Sequence, residues 1–259
     1  MDELSGIHWA ILLFGSLIMG LSKGGIPGAG NLTVAMYALV LEDALGPTGV
    51  AISVGLLLPV LISADLVSTM VYRKYIEWKH LRRLLPFFAI GVIAGWSAFD
   101  FFQSAQRANS LKVLIGVILL GVTGLRILSQ AQTVRATFDS SRFTLIMGPF
   151  FGLLGGMATM LANAAGPLAQ FYLLAMKLPK YAFIGTSAWL FLTVNISKVP
   201  LMWELGILDA QVFRTAVWLF FPAVLGALVA PRMVRHIRQD WFERMIWFFI
   251  VIAGLRMIF

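Results

Sequence analysis

Three charged residues stand where charge is expensive. Lys23 lies in GLSKGGIPGAGNLTV (20–34), Asp65 in LLLPVLISADLVSTMV (56–71) and Lys198 in FLTVNISKVPLMW (191–203). Ionisable side chains within apolar segments face a protein interior or a cavity, and they mark ion or substrate pathways. Lys23 and Lys198 are suited to offset the charge of an anion. Asp65 is the coupling candidate, able to take a proton or hold a cation. Asn195, three residues before Lys198 on the same helical face, would donate an amide hydrogen to the same ligand. The competing roles are a structural ion pair for the charged residues and an interhelical hydrogen bond for Asn195.

The stretch around Lys23 packs five glycines and a proline between two apolar segments. Backbone that is not helical is tolerated at membrane depth only where protein buries it or where it lines a cavity. Glycine accepts dihedrals closed to other residues, and Pro27 suits a helix start. Segments 7–21 and 29–41 are therefore expected to form a hairpin with its tip in the membrane, the second arm starting near residue 28. Asn163, Ala164, Ala165, Gly166 and Pro167 repeat this break from the opposite face. Two helix N-termini would then converge, and free N–H groups with the positive end of the helix dipole make an anion site. The candidate substrate-binding residues are Lys23, Gly24, Gly25, Gly28, Asn31, Asn163, Gly166, Asn195 and Lys198. The plainer alternative makes 22–28 a cytoplasmic turn with a solvated Lys23.

The elements that must position these residues are membrane helices. Of the 259 residues 59% are hydrophobic and only 12% charged, at a mean hydropathy of +0.87. A soluble domain carries about 25% charged residues, so this chain could not clothe a water-facing surface. Runs such as 50–71 and 111–128 approach or reach the roughly 20 residues that cross a bilayer. The first residues, MDELSG, are acidic rather than basic, so no cleavable signal is expected. An all-α polytopic membrane protein follows. The net charge of +8 does not point to nucleic acid, because the basic residues cluster in short loops beside apolar runs. Cysteine is absent, which excludes disulfides and thiolate sites.

Ten apolar segments can be drawn: 7–21, 29–41, 48–71, 84–102, 111–128, 143–161, 166–178, 182–203, 211–231 and 242–259. Segments 29–41 and 166–178 are short for a ~30 Å core. Gly30, Leu32, Gly49 and Pro86 recur 136 positions later as Gly166, Leu168, Gly185 and Pro222. Gly124-Leu125-Arg126 recurs 130 positions later as Gly254-Leu255-Arg256. Two repeats follow, 1–130 and 131–259, within one integral membrane domain. Each has about five helical segments, the first two forming a broken or re-entrant hairpin. Charge sets their orientation. Loop 71–83 has five Lys/Arg, whereas its counterpart 204–211 has none; loop 232–244 has four arginines, whereas 102–112 has one Arg and one Lys. Equivalent loops thus face opposite sides, which is the inverted-topology repeat of secondary transporters. The basic loops are placed in the cytoplasm and both termini outside. Asp65 and Lys198 occupy near-equivalent places in the two halves. They are therefore expected on opposite sides of the midplane, without a direct bridge.

The remaining features carry no chemistry. Gly91/Gly95, Gly148/Gly152 and Gly152/Gly156 are GxxxG spacings read as close helix packing. Arg126 and Arg256 close their segments as interfacial anchors. His8, His80 and His236 are scattered without metal spacing. No metal, cofactor or intramembrane enzyme motif is found, so the protein is read as a non-enzyme. The partners are a small anion and the lipid bilayer, and the sequence allows a homodimer. A channel built on the same hairpins, or a carrier of a different small anion, is the alternative reading. A scaffold without a substrate would leave the matched breaks unexplained.

SKGGIPGAGNL, LLPVLISADL and VYRKYIEWKHLRRLLPFFAIGVIAG in the first half resemble the TauE/SafE sulfite exporter family. TMLANAAGPLAQFYLLAMKLPK and GTSAWLFLTVNISKVPLMW in the second half extend the resemblance over nearly the whole chain. It implies a bacterial inner-membrane transporter, most simply an exporter, of sulfite or an organosulfonate such as sulfoacetate. The sulfur chemistry comes from the resemblance, and the anion site from the residues.

Overall fold

The structure is a computed structural model describing residues 4–26, 29–46, 48–98 and 141–258. Its described elements are helices: α1 (Gly6–Lys23), α2 (Ala29–Leu45), α3 (Thr48–Tyr72), α4 (Trp78–Ser97), α5 (Ser141–Ala162), α6 (Gly166–Ala175), α7 (Lys180–Glu204), α8 (Ala210–His236) and α9 (Gln239–Ile258). A 3-10 turn, Arg73–Tyr75, follows α3. No strand occurs among the described residues. Four of these helices are long and apolar enough to cross a membrane: α1, α3 with its turn, α7 and α8. At ~1.5 Å per residue, α3 and α7 reach about 37 Å and α6 only about 15 Å.

Each apolar segment that falls on described residues became a helix, with instructive differences at the ends. α4 begins at Trp78 rather than near 84, because the basic stretch WKHLRR forms its first turns. α2 runs on to Leu45, through Glu42 and Asp43. Asp43 lies 3.0 Å from the His8 Nε2, which joins the end of α2 to the start of α1. Segment 111–128, with Arg126, lies outside the described residues.

The chain divides into two compact units that cut across the two halves. The first comprises Met1–Glu77 and Lys180–Arg238, and so combines α1, α2 and α3 with α7 and α8. α1 and α8 run side by side in the same direction. Gly20 meets the Ala223 carbonyl and the Ala227 amide, and Gly24 meets Ala227 and Ala230. Only glycine permits this approach, because a Cβ at Gly20 would enter the α8 backbone. α3 and α7 cross in opposite directions. Gly55 touches Ile207 just beyond α7, Asp65 bonds Asn195, and the Tyr72 carbonyl abuts Gly185. The Tyr72 ring stacks on Tyr181, with centroids 6.2 Å apart. Lys180, at the start of α7, donates to the Val234 and Ile237 carbonyls and so caps the end of α8.

The second unit comprises Trp78–Pro179 and Gln239–Phe259. Its α4 and α5 also run parallel: Gly91 meets the Leu153 carbonyl and Gly156, and Gly95 meets Met157 and Met160. Leu153 and Gly156 lie 136 positions after Leu17 and Gly20, which make the corresponding contacts with Gly226 and Ala223 in the first unit. The same small-residue seam is therefore built twice. Gly148 is the exception among the GxxxG glycines, its nearest neighbour being the Arg83 carbonyl at 3.8 Å.

Overpacking such a seam costs about 1–3 kcal/mol. Gly20→Val and Gly156→Val are expected to lower the melting temperature in detergent, or to prevent recovery of folded protein. Gly6→Ala, where an added Cβ meets nothing within 4 Å, is expected to leave melting unchanged. Equal melting of all three variants would refute the packing account.

Candidate functional site

Most buried polar side chains of the described residues sit on the crossing pair. Ser53, Asp65, Ser68 and Thr69 lie on α3, and Thr186, Asn195 and Lys198 on α7. Helical spacing explains the first set: Ser68, Thr69 and Tyr72 stand three, four and seven residues after Asp65, along one face. The rest of α3 is largely apolar, so this polar stripe is buried against protein.

Asp65 is the centre. Its carboxylate is fully buried, and Lys23 Nζ lies 3.0 Å from Oδ1 and 3.2 Å from Oδ2. Asn195 Nδ2 donates to Oδ2 at 2.9 Å. Lys23 Nζ also sits 4.2 Å from the centroid of the Phe191 ring, whose face attracts a cation. Lys198, also fully buried, follows Asn195 by about one turn and lies near enough to feel the charges of both Lys23 and Asp65. The group thus contains two lysines, one carboxylate and one carboxamide.

The sequence expectation placed no bridge between Asp65 and Lys198, and the ion pair that Asp65 makes is with Lys23. Asp65 is also not isolated, since its partner is the Lys23 expected at a hairpin tip.

The backbone expectations fare differently. The Gly24 amide bonds the Gly20 carbonyl at 2.8 Å, the Gly25 amide bonds Ser22 at 3.2 Å, and the Ile26 amide bonds Leu21 at 3.0 Å. These amides close the C-terminus of α1, so Gly24 and Gly25 do not offer free N–H groups. The reason is positional: both glycines finish the first arm rather than start the second. Gly25 has φ +126°, which glycine alone adopts readily, and it is wedged near Ile184, Val234 and the Tyr72 hydroxyl. Tyr72 Oη donates to the Gly24 carbonyl at 2.8 Å, fixing the loop to α3. Asn31 is half-buried in the first turn of α2. Gly28 lies outside the described residues.

Asn163 and Gly166 belong to the second unit. Asn163 has φ 51° and follows the last residue of α5, and the Ala164 amide reaches back to Ala158 at 3.2 Å. That is the left-handed helix stop in which asparagine often replaces glycine. Gly166 opens α6, with Pro167 in the first turn. A helix thus ends at the expected place in each half, at Lys23 and at Ala162, and the next described helices begin at Ala29 and Gly166.

Tyr72, Ser68, Thr69 and Phe191 escaped the sequence reading. Ser68 Oγ, Thr69 Oγ1 and Asn195 Oδ1 are buried without a hydrogen-bond partner among the described residues. Their helical spacing from Asp65 was the available signal.

Removing one partner of a buried ion pair costs about 3–5 kcal/mol, whereas replacing both by apolar groups is close to neutral. Lys23→Met is expected to lower the melting temperature clearly, and Lys23→Met with Asp65→Leu to recover most of the loss. Additive losses in this double-mutant cycle would count against the pair.

The chain matches the family model described as sulfite exporter TauE/SafE over residues 12–257. Neither the comparison with curated proteins nor that with solved structures yields a match. The match extends over nearly the whole chain and includes the crossing pair, both helix breaks and both small-residue seams. With its long apolar helices, the protein is a multi-pass membrane protein that belongs to the TauE/SafE sulfite exporter family.

Proposed function

We propose that the protein is a secondary transporter that carries a small sulfur-containing anion, sulfite or an organosulfonate such as sulfoacetate, by alternating access. The observation that carries this reading is the buried group Lys23, Asp65, Asn195 and Lys198 where α3 and α7 cross. Two lysines beside one carboxylate leave a site that an oxyanion would complete. Asn195 adds an N–H donor of the kind that oxyanions accept. The family supplies the sulfur-anion class and the direction, export.

An inverted repeat supplies the alternation. Three observations support it. α3 and α7, equivalent in order, run antiparallel; α1 with α8 and α4 with α5 run parallel, as inversion requires; and the two seams use residues 136 positions apart. In such folds the substrate site lies at the repeat interface near the midplane, and rocking of one bundle exposes it to either side. The first turn of α2, with Asn31, would offer further N–H groups to the anion. Asp65 is the proposed coupling residue. The basic loops 71–83 and 232–244 orient the chain with these loops in the cytoplasm of a bacterial inner membrane and the termini outside.

Flux of labelled sulfite from proteoliposomes tests the reading. Saturable flux, inhibited by at least one of sulfate, sulfoacetate or taurine, is expected. Lys198→Met should lower it by more than about tenfold while the protein still elutes and melts as folded, since loss of a buried charge contact to a ligand typically weakens it by that much or more. Wild-type flux in a folded Lys198→Met protein would remove this lysine from the site. Flux that never saturates and follows voltage would replace the carrier with a channel.

A further inference from the structure

The substrate-free site already contains an anion of its own. The Asp65 carboxylate takes two contacts from the Lys23 ammonium and one from the Asn195 amide. The oxygens of a sulfite or sulfonate group would seek the same donors. One helical turn along α3, Ser68 Oγ and Thr69 Oγ1 are buried, uncharged and without hydrogen-bond partners among the described residues. Buried hydroxyls left in this way call for an explanation, because an unmade hydrogen bond in the interior is costly. They stand at i+3 and i+4 from Asp65, the spacing at which helical side chains are neighbours.

We propose that Asp65 is an internal stand-in for the transported anion, with two docking positions. In the empty site it holds Lys23 and Asn195. When the anion arrives, it yields these donors and turns to the hydroxyls of Ser68 and Thr69. The inference rests on the anion-carrier reading and adds to it the competitor that the substrate displaces. It explains why a site for anions contains a carboxylate. Without a substitute, the Lys23 ammonium would lose its ion-pair partner whenever the site is empty. It also explains the hydroxyls, which receive the carboxylate only in the loaded state. Competition of this kind lowers apparent affinity by the fraction of sites in which Asp65 occupies the donors.

Binding of sulfite to purified protein in detergent, measured by calorimetry, tests this. Asp65→Asn is close to isosteric, and it is expected to bind sulfite at least about fivefold more tightly than wild type, a typical size for a coupling between two binding events. Ser68→Ala with Thr69→Val is expected to weaken binding by a similar factor, because the displaced carboxylate then has no donors. The same pair of changes in the Asp65→Asn background is expected to have no effect. That last readout separates a docking role from direct contact with the anion, which would weaken binding in both backgrounds. Wild-type binding with no gain in Asp65→Asn would overturn the inference and leave the carrier reading standing. Should Asp65→Asn not fold, unchanged affinity of the hydroxyl variant would overturn it equally. No binding by folded wild-type protein would sink the carrier reading and this inference together.

Discussion

A carboxylate with no access to water controls the arrangement of the first unit. Asp65 cannot remain ionised among the apolar side chains of α3 unless charge and hydrogen bonds reach it. Lys23 and Asn195 supply both, and they come from α1 and α7. Three helices distant in sequence are thus tied at one point. The approach of α1 is possible because Gly20 and Gly24 let it lie against α8, and Gly25 lets its end turn beneath Tyr72. The glycines of the opening stretch therefore serve mainly to deliver the Lys23 ammonium.

Specificity and stability are in tension at such a place. A buried ion pair contributes little net stability compared with apolar residues of similar volume. Its presence in a membrane helix bundle is better understood through function, because an ammonium and a carboxamide N–H, the groups that hold Asp65, are donors of the kind that oxyanions accept. The unpartnered hydroxyls of Ser68 and Thr69 and the unpartnered Asn195 Oδ1 point the same way among the described residues. A site optimised for one static state would have satisfied them.

The helix breaks show how one feature can take two meanings. Gly24 and Gly25 were read as anion-binding backbone, and their amides close α1 instead. A break in a helical pattern looks alike from either side in sequence. Whether its amides close the preceding helix or open the next depends on a single residue of register. Gly166 and Asn31, one step further along, do lie in the first turns of their helices.

Much of the architecture was legible in the sequence because membrane burial leaves few choices. Apolar runs of sufficient length must be helices, so α1, α3, α7 and α8 were readable from hydropathy, and the breaks from Gly, Pro and Asn. Leu17 and Gly20 in one small-residue seam and Leu153 and Gly156 in the other are likewise 136 positions apart. Lys23, Asp65, Asn195 and Lys198 were identifiable singly, since polar residues in lipid need a reason. Their meeting was not. Contact between residues 42 and 130 positions apart depends on how two helices cross and where a third ends. Those angles come from side-chain packing at Gly20, Gly55 and Gly185, where the fit of small residues against facing backbone decides the approach. Tertiary packing alone made a lysine, an aspartate and an asparagine into one site.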